Sequence, residues 1–79
     1  MHTEQEIINL FREAVKEVDN KDIGEMSGST EIAQLGLDSV TTMEVIGVLE
    51  EKLNVRFPDE ELATLKSMGD LTSLIQRIG

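Results

Sequence analysis

Ser39 is the residue of this chain whose position best suits covalent chemistry. It follows Asp38 in the segment LGLDSV (residues 35–40), where a glycine-containing loop meets an apolar pattern with helical spacing that runs to Leu53. Asp38 is a favourable N-cap, because its carboxylate can accept the free N–H groups of a first helical turn. A phosphate ester on Ser39 would therefore lie near the positive end of a helix dipole, which favours an anion.

A serine that acts as a nucleophile needs a base to take its proton and a third group to orient that base. The only histidine is His2, and the residues around Ser39 lack the Gly-x-Ser-x-Gly spacing of a nucleophile elbow. The sequence also lacks a metal-binding cluster and a glycine-rich phosphate loop. We therefore predict that the chain is not an enzyme and that another protein modifies Ser39.

The composition predicts one small domain over residues 1–79, with a core of modest size. Cysteine, tryptophan and tyrosine are absent, and phenylalanine occurs only twice. The core must therefore consist of aliphatic side chains and methionine, a combination that adapts readily to a change of contents.

The charge is strongly acidic, with 16 acidic and 7 basic residues and a formal net charge of -9. Such a charge disfavours nucleic acids and anionic membranes, favours basic protein surfaces as partners, and indicates a monomer. No apolar run approaches the roughly 20 residues that span a bilayer, and the sequence begins without a secretory signal. These features predict a cytoplasmic protein without a membrane span.

The first half of the chain predicts one amphipathic helix followed by a long loop. Thr3 and Glu6 have the spacing of a capping box, so we expect the helix over residues 4–18. The pattern is lost over residues 19–34, where glycine, serine and threonine indicate a loop. The residues predicted to face the core from the first helix are Ile7, Ile8, Phe11, Ala14, Val15 and Val18.

The second half predicts three more helices. One covers residues 39–53, a short one follows Pro58 over residues 59–65, and a last one covers residues 68–78 after the capping pair Ser67 and Asp70. The fold class is therefore all-α, a small four-helix bundle with three longer helices and one short helix. The core residues predicted from the two longer helices are Val45, Ile46, Leu49, Leu53, Met68, Leu71, Leu74, Ile75 and Ile78.

An acidic strip with some apolar surface runs along the second helix away from Ser39. At about 100° per residue, it lies opposite the core stripe. We call this strip the docking face and expect its glutamates to meet lysine and arginine on partner enzymes. It consists of Val40, Met43, Glu44, Gly47, Glu50 and Glu51.

Residues 35–40 resemble the attachment motif of the phosphopantetheine-binding acyl carrier proteins, in which Asp-Ser is followed by an aliphatic residue. Glu44, Leu49 and the segment FPDEE (residues 57–61) add to the resemblance, which extends over essentially the whole chain. It implies that Ser39 receives 4'-phosphopantetheine from coenzyme A through a separate transferase with magnesium. The thiol of this arm would then carry acyl groups as thioesters.

The resemblance also implies the surroundings of the cofactor and the partners. Asp38 and Val40 would flank the attachment residue, and no metal site is expected in the chain. The partners would be a phosphopantetheinyl transferase and acyl-transferring and acyl-modifying enzymes with basic docking surfaces. The positions that match the family's acyl pocket, all of which any helical core would also fill with apolar residues, are Ile32, Met43, Val45, Leu49, Phe57, Leu62, Leu65, Met68 and Leu71.

Four positions depart from the pattern of carriers for fatty acid synthesis. Val40 replaces the commoner leucine, Thr41 replaces an acidic residue, Gly47 replaces an apolar contact residue, and Lys52 interrupts the acidic run. These departures leave open a fatty acid carrier, a specialised lipid or polyketide carrier, and a peptidyl or aminoacyl carrier. An unmodified acidic helical domain that binds a partner protein is a further alternative.

A calcium-binding EF-hand is the alternative that the acidic helix-loop-helix pattern suggests, but the loop does not match it. A loop that starts at Asp19 has Gly24 at the required sixth position but Lys21 at a ligand position. A loop that starts at Asn20 has Glu25 where glycine is required. The sequence therefore favours a carrier over a calcium sensor.

Overall fold

The described part of the chain forms four α-helices: α1 (Glu4–Asp19), α2 (Ser39–Leu53), α3 (Asp59–Leu62) and α4 (Met68–Ile78). The structure is a computed structural model that describes residues 2–78. In this range β-type pairing is limited to an isolated bridge between Glu31 and Ser67. The predicted all-α bundle of three longer helices and one short helix is confirmed.

Capping boxes begin both α1 and α4, as the sequence predicts. Thr3 Oγ1 accepts the Glu6 N–H at 3.1 Å, and Glu6 Oε1 accepts the Thr3 N–H at 3.2 Å. In α4, Ser67 Oγ accepts the Asp70 N–H at 3.2 Å, and Asp70 Oδ2 accepts the Ser67 N–H at 3.1 Å. These backbone hydrogen bonds stabilise the charged carboxylates and lower the pKa of Glu6 and of Asp70.

The core lies where α1 packs against α2 and α4. Its buried apolar residues are Ile7, Ile8, Phe11, Ala14, Val15, Ile32, Val45, Ile46, Leu49, Phe57, Met68, Leu71, Leu74 and Ile75. Of the residues predicted to face inward, Val18 and Leu53 are only half-buried. Ile78 is 38% exposed, and its predicted inward orientation is wrong, because the last turn of a helix lies at the edge of a bundle.

The connection between α1 and α2 is more ordered than the predicted loop over residues 19–34. It contains a 3-10 helix over Ile32–Leu35. Backbone hydrogen bonds tie it to the connection between α3 and α4: Ile32 N–H donates to Lys66 O at 2.8 Å, and Met68 N–H donates to Thr30 O at 2.9 Å. These bonds fix the chain just before Ser39 against the start of α4.

Helix α3 is shorter than predicted, ending at Leu62 instead of Leu65. The following residues form turns, in which Thr64 N–H donates to Glu61 O at 3.1 Å and Leu65 N–H to Leu62 O at 3.3 Å. This change of direction lets the chain reach the hydrogen bonds with the 3-10 helix. None of the described helices is long and apolar enough to cross a membrane.

Candidate functional site: Ser39 and the grooves beside α2

Ser39 is the first residue of α2 and is exposed. Asp38 adopts an extended N-cap conformation, and its Oδ1 accepts the Thr41 N–H at 2.7 Å. The Thr42 hydroxyl donates to the Asp38 carbonyl at 2.8 Å. The sequence prediction that Asp38 caps the second helix is confirmed.

The cap also sets the electrostatics beside Ser39. The hydrogen bond from the Thr41 backbone holds the pKa of Asp38 below its ordinary value of 3.8, because it stabilises the carboxylate. Asp38 is therefore ionised at neutral pH, and its Oδ1 is used by the helix cap. A carboxylate with a lowered pKa is a weak base for a serine hydroxyl.

The loop before Asp38 turns sharply at Gly36. Its φ of 76° lies in the left-handed region that glycine adopts without steric cost. Lys21 Nζ donates to the Leu35 carbonyl at 3.4 Å, at the end of the 3-10 helix. The turn brings the chain from the 3-10 helix to the start of α2 and leaves Ser39 on the surface.

The Ser39 hydroxyl is available for modification. The side-chain hydrogen bonds at this helix start belong to Asp38, Thr41 and Thr42, and within residues 2–78 none uses the Ser39 oxygen. An exposed hydroxyl at a helix N-terminus can accept a phosphodiester without loss of an existing contact. The residues present therefore fit a 4'-phosphopantetheine arm.

An open groove of about 540 Å³ adjoins Ser39. We call it the Ser39 groove. Its lining is mainly apolar, comes from the 3-10 helix, α2 and the connections beside them, and includes two charged residues. Its lining residues are Glu31, Ile32, Ala33, Leu37, Ser39, Thr42, Met43, Leu65 and Lys66.

Met43 is 54% exposed and lines a second groove as well. That groove has a volume of about 510 Å³ and lies between α2 and α3. Its lining residues are Met43, Ile46, Glu50, Arg56, Phe57, Pro58, Asp59 and Leu62. Two open, partly apolar surfaces therefore meet at the Met43 side chain.

The nine residues expected in the acyl pocket are divided between the grooves and the core. Ile32, Met43 and Leu65 line the Ser39 groove, whereas Phe57 and Leu62 line the second groove. The remaining four, which are completely buried in the core, are Val45, Leu49, Met68 and Leu71.

Five residues that line the Ser39 groove were not predicted as site residues: Glu31, Ala33, Leu37, Thr42 and Lys66. Thr42 follows Ser39 by three residues, so helical spacing alone would place both on one face. Ala33, Leu37 and Lys66 reach the groove through the 3-10 helix and the connection between α3 and α4. No local pattern in the sequence indicates that placement.

The docking face is divided between fully exposed and half-buried positions. Glu44 and Glu51 are exposed, and Val40 is 67% exposed. Gly47 and Glu50 are half-buried, and Glu50 Oε2 accepts the Phe57 N–H at 2.8 Å. Glu50 therefore also holds the chain after α2, and Glu44 and Glu51 carry the charge that faces the solvent most directly.

Lys52, which interrupts the acidic run in the sequence, does not interrupt the docking face. Its Nζ lies 3.2 Å from Glu17 Oε2 on α1. This contact directs the ammonium group across the α1–α2 interface and away from the acidic strip. The departure at position 52 therefore leaves the charge of the docking face unchanged.

Comparison with known proteins identifies the family. Residues 9–75 match the family model described as the phosphopantetheine attachment site. This chain belongs to the acyl carrier protein family. The carrier is 33% identical over 78 residues to the acyl carrier protein of Rhodococcus erythropolis, covering 98% of this chain and 86% of that protein.

One further relative agrees with this assignment, and one solved structure shows the same fold. The carrier is 32% identical over 77 residues to the meromycolate extension acyl carrier protein of Mycolicibacterium smegmatis, covering 96% of this chain and 78% of that protein. Its fold matches the crystal structure of an acyl carrier protein from Thermotoga maritima with a TM-score of 0.86 and 23% identity, covering 95% and 88% of the two chains.

Family membership confirms three predictions from the sequence. The resemblance to acyl carrier proteins is correct, the cofactor of the family is phosphopantetheine, and members act as carriers and not as catalysts. The carrier family works with synthase enzymes in general.

Proposed function

We propose that Ser39 is the attachment residue for 4'-phosphopantetheine and that this carrier transports acyl groups as thioesters on that arm. The observation that carries the proposal is the exposed Ser39 hydroxyl at the capped start of α2. It lies within the segment that matches the family model and borders a largely apolar groove. When bound, the arm supplies a thiol, which this chain lacks because it has no cysteine.

Ser39 contributes its oxygen to the attachment reaction. A bond forms between Ser39 Oγ and phosphorus as the phosphoanhydride bond of coenzyme A breaks, and the nucleotide half leaves. The hydroxyl proton passes to a base on the transferase, because the lowered pKa of Asp38 makes its carboxylate a weak base. Asp38 keeps the first turn of α2 formed, so that the oxygen stays exposed at a fixed position.

The docking face is proposed to bind the transferase and the acyl-transferring and acyl-modifying enzymes. Glu44 and Glu51 are exposed on the same helix that begins with Ser39, and the chain carries a net charge of -9. Basic surfaces would be attracted before contact, and pairing with the two glutamates would orient α2 on the partner. Val40 and Met43 would add apolar contact near the arm.

The cargo is proposed to be an acyl chain of a fatty acid pathway or of a specialised lipid or polyketide pathway. Similarity to carriers named for acyl transport and for meromycolate extension supports this class. The mainly apolar lining of the Ser39 groove also favours an aliphatic chain over a polar cargo. The cytoplasmic location stays a prediction from the sequence.

The attachment proposal is tested by intact mass spectrometry. The protein is incubated with coenzyme A, magnesium and a broad-specificity phosphopantetheinyl transferase. We expect a phosphopantetheine-sized mass gain in the wild type and in Ser73→Ala, which removes another exposed serine, but not in Ser39→Ala. No gain in the wild type with several transferases, or an equal gain in Ser39→Ala, would overturn the proposal.

The docking proposal is tested by the rate of the same reaction. Combined reversal of Glu44→Lys and Glu51→Lys is expected to lower kcat/KM for the transferase by about tenfold at low salt and less at high salt. The matched control, Glu13→Lys with Glu25→Lys, makes the same change in net charge at exposed positions outside the docking face. Equal loss in both double variants would show that net charge alone matters and would refute a localised docking face.

A further inference from the structure

Among residues 2–78, Lys66 is the one cationic residue that lines the Ser39 groove. It precedes α4 by two residues and is exposed. Ser39 and Lys66 line the same groove, and the apolar side chains of Leu65 and Met43 line it with them. An anion attached to Ser39 would therefore enter a groove that already contains a positive charge.

The backbone of Lys66 is fixed on both sides. Its N–H donates to Asp70 Oδ2 at 3.0 Å, and its carbonyl accepts the Ile32 N–H at 2.8 Å. These bonds join the start of α4 to the 3-10 helix that leads to Ser39. The lysine stem thus begins at a fixed point on the groove, while its four-carbon chain leaves the ammonium free to adjust.

The Lys66 ammonium has no carboxylate partner within 4.0 Å among the residues that the structure describes. Some of the other cations of this acidic chain are paired: Lys52 lies 3.2 Å from Glu17, and Arg77 lies 3.1 Å from Glu61. Glu31, the acidic residue of the same groove, also forms no ion pair with Lys66 in this range. Lys66 therefore keeps its capacity to pair with an anion.

A phosphodiester on Ser39 would add one negative charge to a chain that already carries -9. The acidic residue nearest to Ser39 in sequence is the ionised Asp38, and the acidic residue Glu31 lines the same groove. Both repel an added anion, and Lys66 is the groove residue that can offset this repulsion. We propose that Lys66 is the counter-ion of the Ser39 phosphodiester and holds the base of the arm over the Ser39 groove.

The inference rests on the proposed attachment at Ser39 and adds a specific role for Lys66. An exposed ion pair of this kind is weak and salt-sensitive. It can therefore retain the arm on the groove between enzymes and still release it when a partner binds. Lys66 acts as a positioning residue and does not take part in chemistry.

The test compares apo and loaded forms of the wild type, Lys66→Gln, Lys66→Arg and Lys16→Gln. Lys16 is an exposed cation on α1 outside the Ser39 groove, so its variant removes the same charge elsewhere. Loading of each variant is verified by intact mass. The readouts are the change in Tm between apo and loaded forms and the ³¹P chemical shift of the loaded protein.

At about 10 mM ionic strength, we expect Lys66→Gln to lower the loaded-minus-apo change in Tm by about 2–4 °C relative to the wild type. Its ³¹P resonance should shift as well. Lys66→Arg should retain both properties, and Lys16→Gln should resemble the wild type. At about 1 M ionic strength the difference between Lys66→Gln and the wild type should disappear.

The possible outcomes separate this inference from the attachment proposal. A mass gain with the same Tm change and ³¹P shift in Lys66→Gln and Lys16→Gln would overturn the role of Lys66 and leave the attachment intact. No mass gain in the wild type would overturn both proposals. Because each variant is compared with its own apo form, a general effect on folding would not imitate the expected result.

Discussion

Gly47→Ala should stabilise the protein, because Gly47 lies within α2 and a side chain there meets no obstacle. A Cβ atom built at this position has no atom within 4 Å, leaving out the helix's own nearby backbone. Glycine within a helix is less favourable than alanine by about 0.8–1.0 kcal/mol. With no steric cost to subtract, we expect the free energy of unfolding to rise by about 1 kcal/mol, which raises the Tm by about 4–8 °C in a domain of this size.

The assay is thermal and denaturant unfolding of the apo protein, with Gly36→Ala as the matched control. Gly36 has a φ of 76°, a conformation that costs alanine about 1–2 kcal/mol. The same methyl addition should therefore lower the Tm at position 36 and raise it at position 47. An unchanged or lower Tm for Gly47→Ala would refute the reasoning, since it would show that the surroundings of α2 do not leave room for the side chain.

Three further predictions concern a buried hydroxyl, a close backbone contact and the α2 cap. The buried Thr72 Oγ1 has no hydrogen-bond partner within residues 2–78, so Thr72→Val should raise the free energy of unfolding by about 1 kcal/mol in denaturant titration. A lower free energy of unfolding would show that the hydroxyl has a hydrogen-bond partner. A Cβ on Gly69 would lie 2.9 Å from the Gly28 carbonyl oxygen, so Gly69→Ala should cost about 1–3 kcal/mol and speed amide exchange at Gly69; unchanged exchange would contradict this. The lowered pKa of Asp38 contributes stability that is present above its unfolded pKa near 3.8 and is lost as pH falls through the folded pKa. In acid titration, Asp38→Asn should therefore lose stability less steeply than the wild type below about pH 4, and equal slopes would refute the contribution of the cap.

Local sequence signals predicted the starts of the long helices. The pairs Thr3 with Glu6 and Ser67 with Asp70 form the expected capping boxes, and Asp38 caps α2 as expected. Each of these signals uses hydrogen bonds between residues three apart, so nothing outside the segment is needed to form them. The position of Ser39 in the first turn of α2 was predicted from the same kind of local signal, the N-cap at Asp38.

The parts that the sequence did not predict depend on distant contacts. The 3-10 helix at Ile32–Leu35 is held by backbone bonds to the connection before α4, which lies more than 30 residues later in the chain. Lys52 turns toward Glu17 because α1 packs beside α2. Lys66 reaches the Ser39 groove for the same reason: its position depends on how two loops pair, and helical periodicity does not report that pairing.

The central claim is that the phosphopantetheine arm is attached to Ser39, and its most direct test is to locate the added mass after loading. Trypsin cleaves after Lys21 and Lys52 and releases residues 22–52 as one peptide, which contains the serines at positions 27, 29 and 39. Fragmentation of this peptide should place the whole mass gain on Ser39. A gain on Ser27 or Ser29, or an unmodified peptide from protein treated with active transferase, would contradict the account.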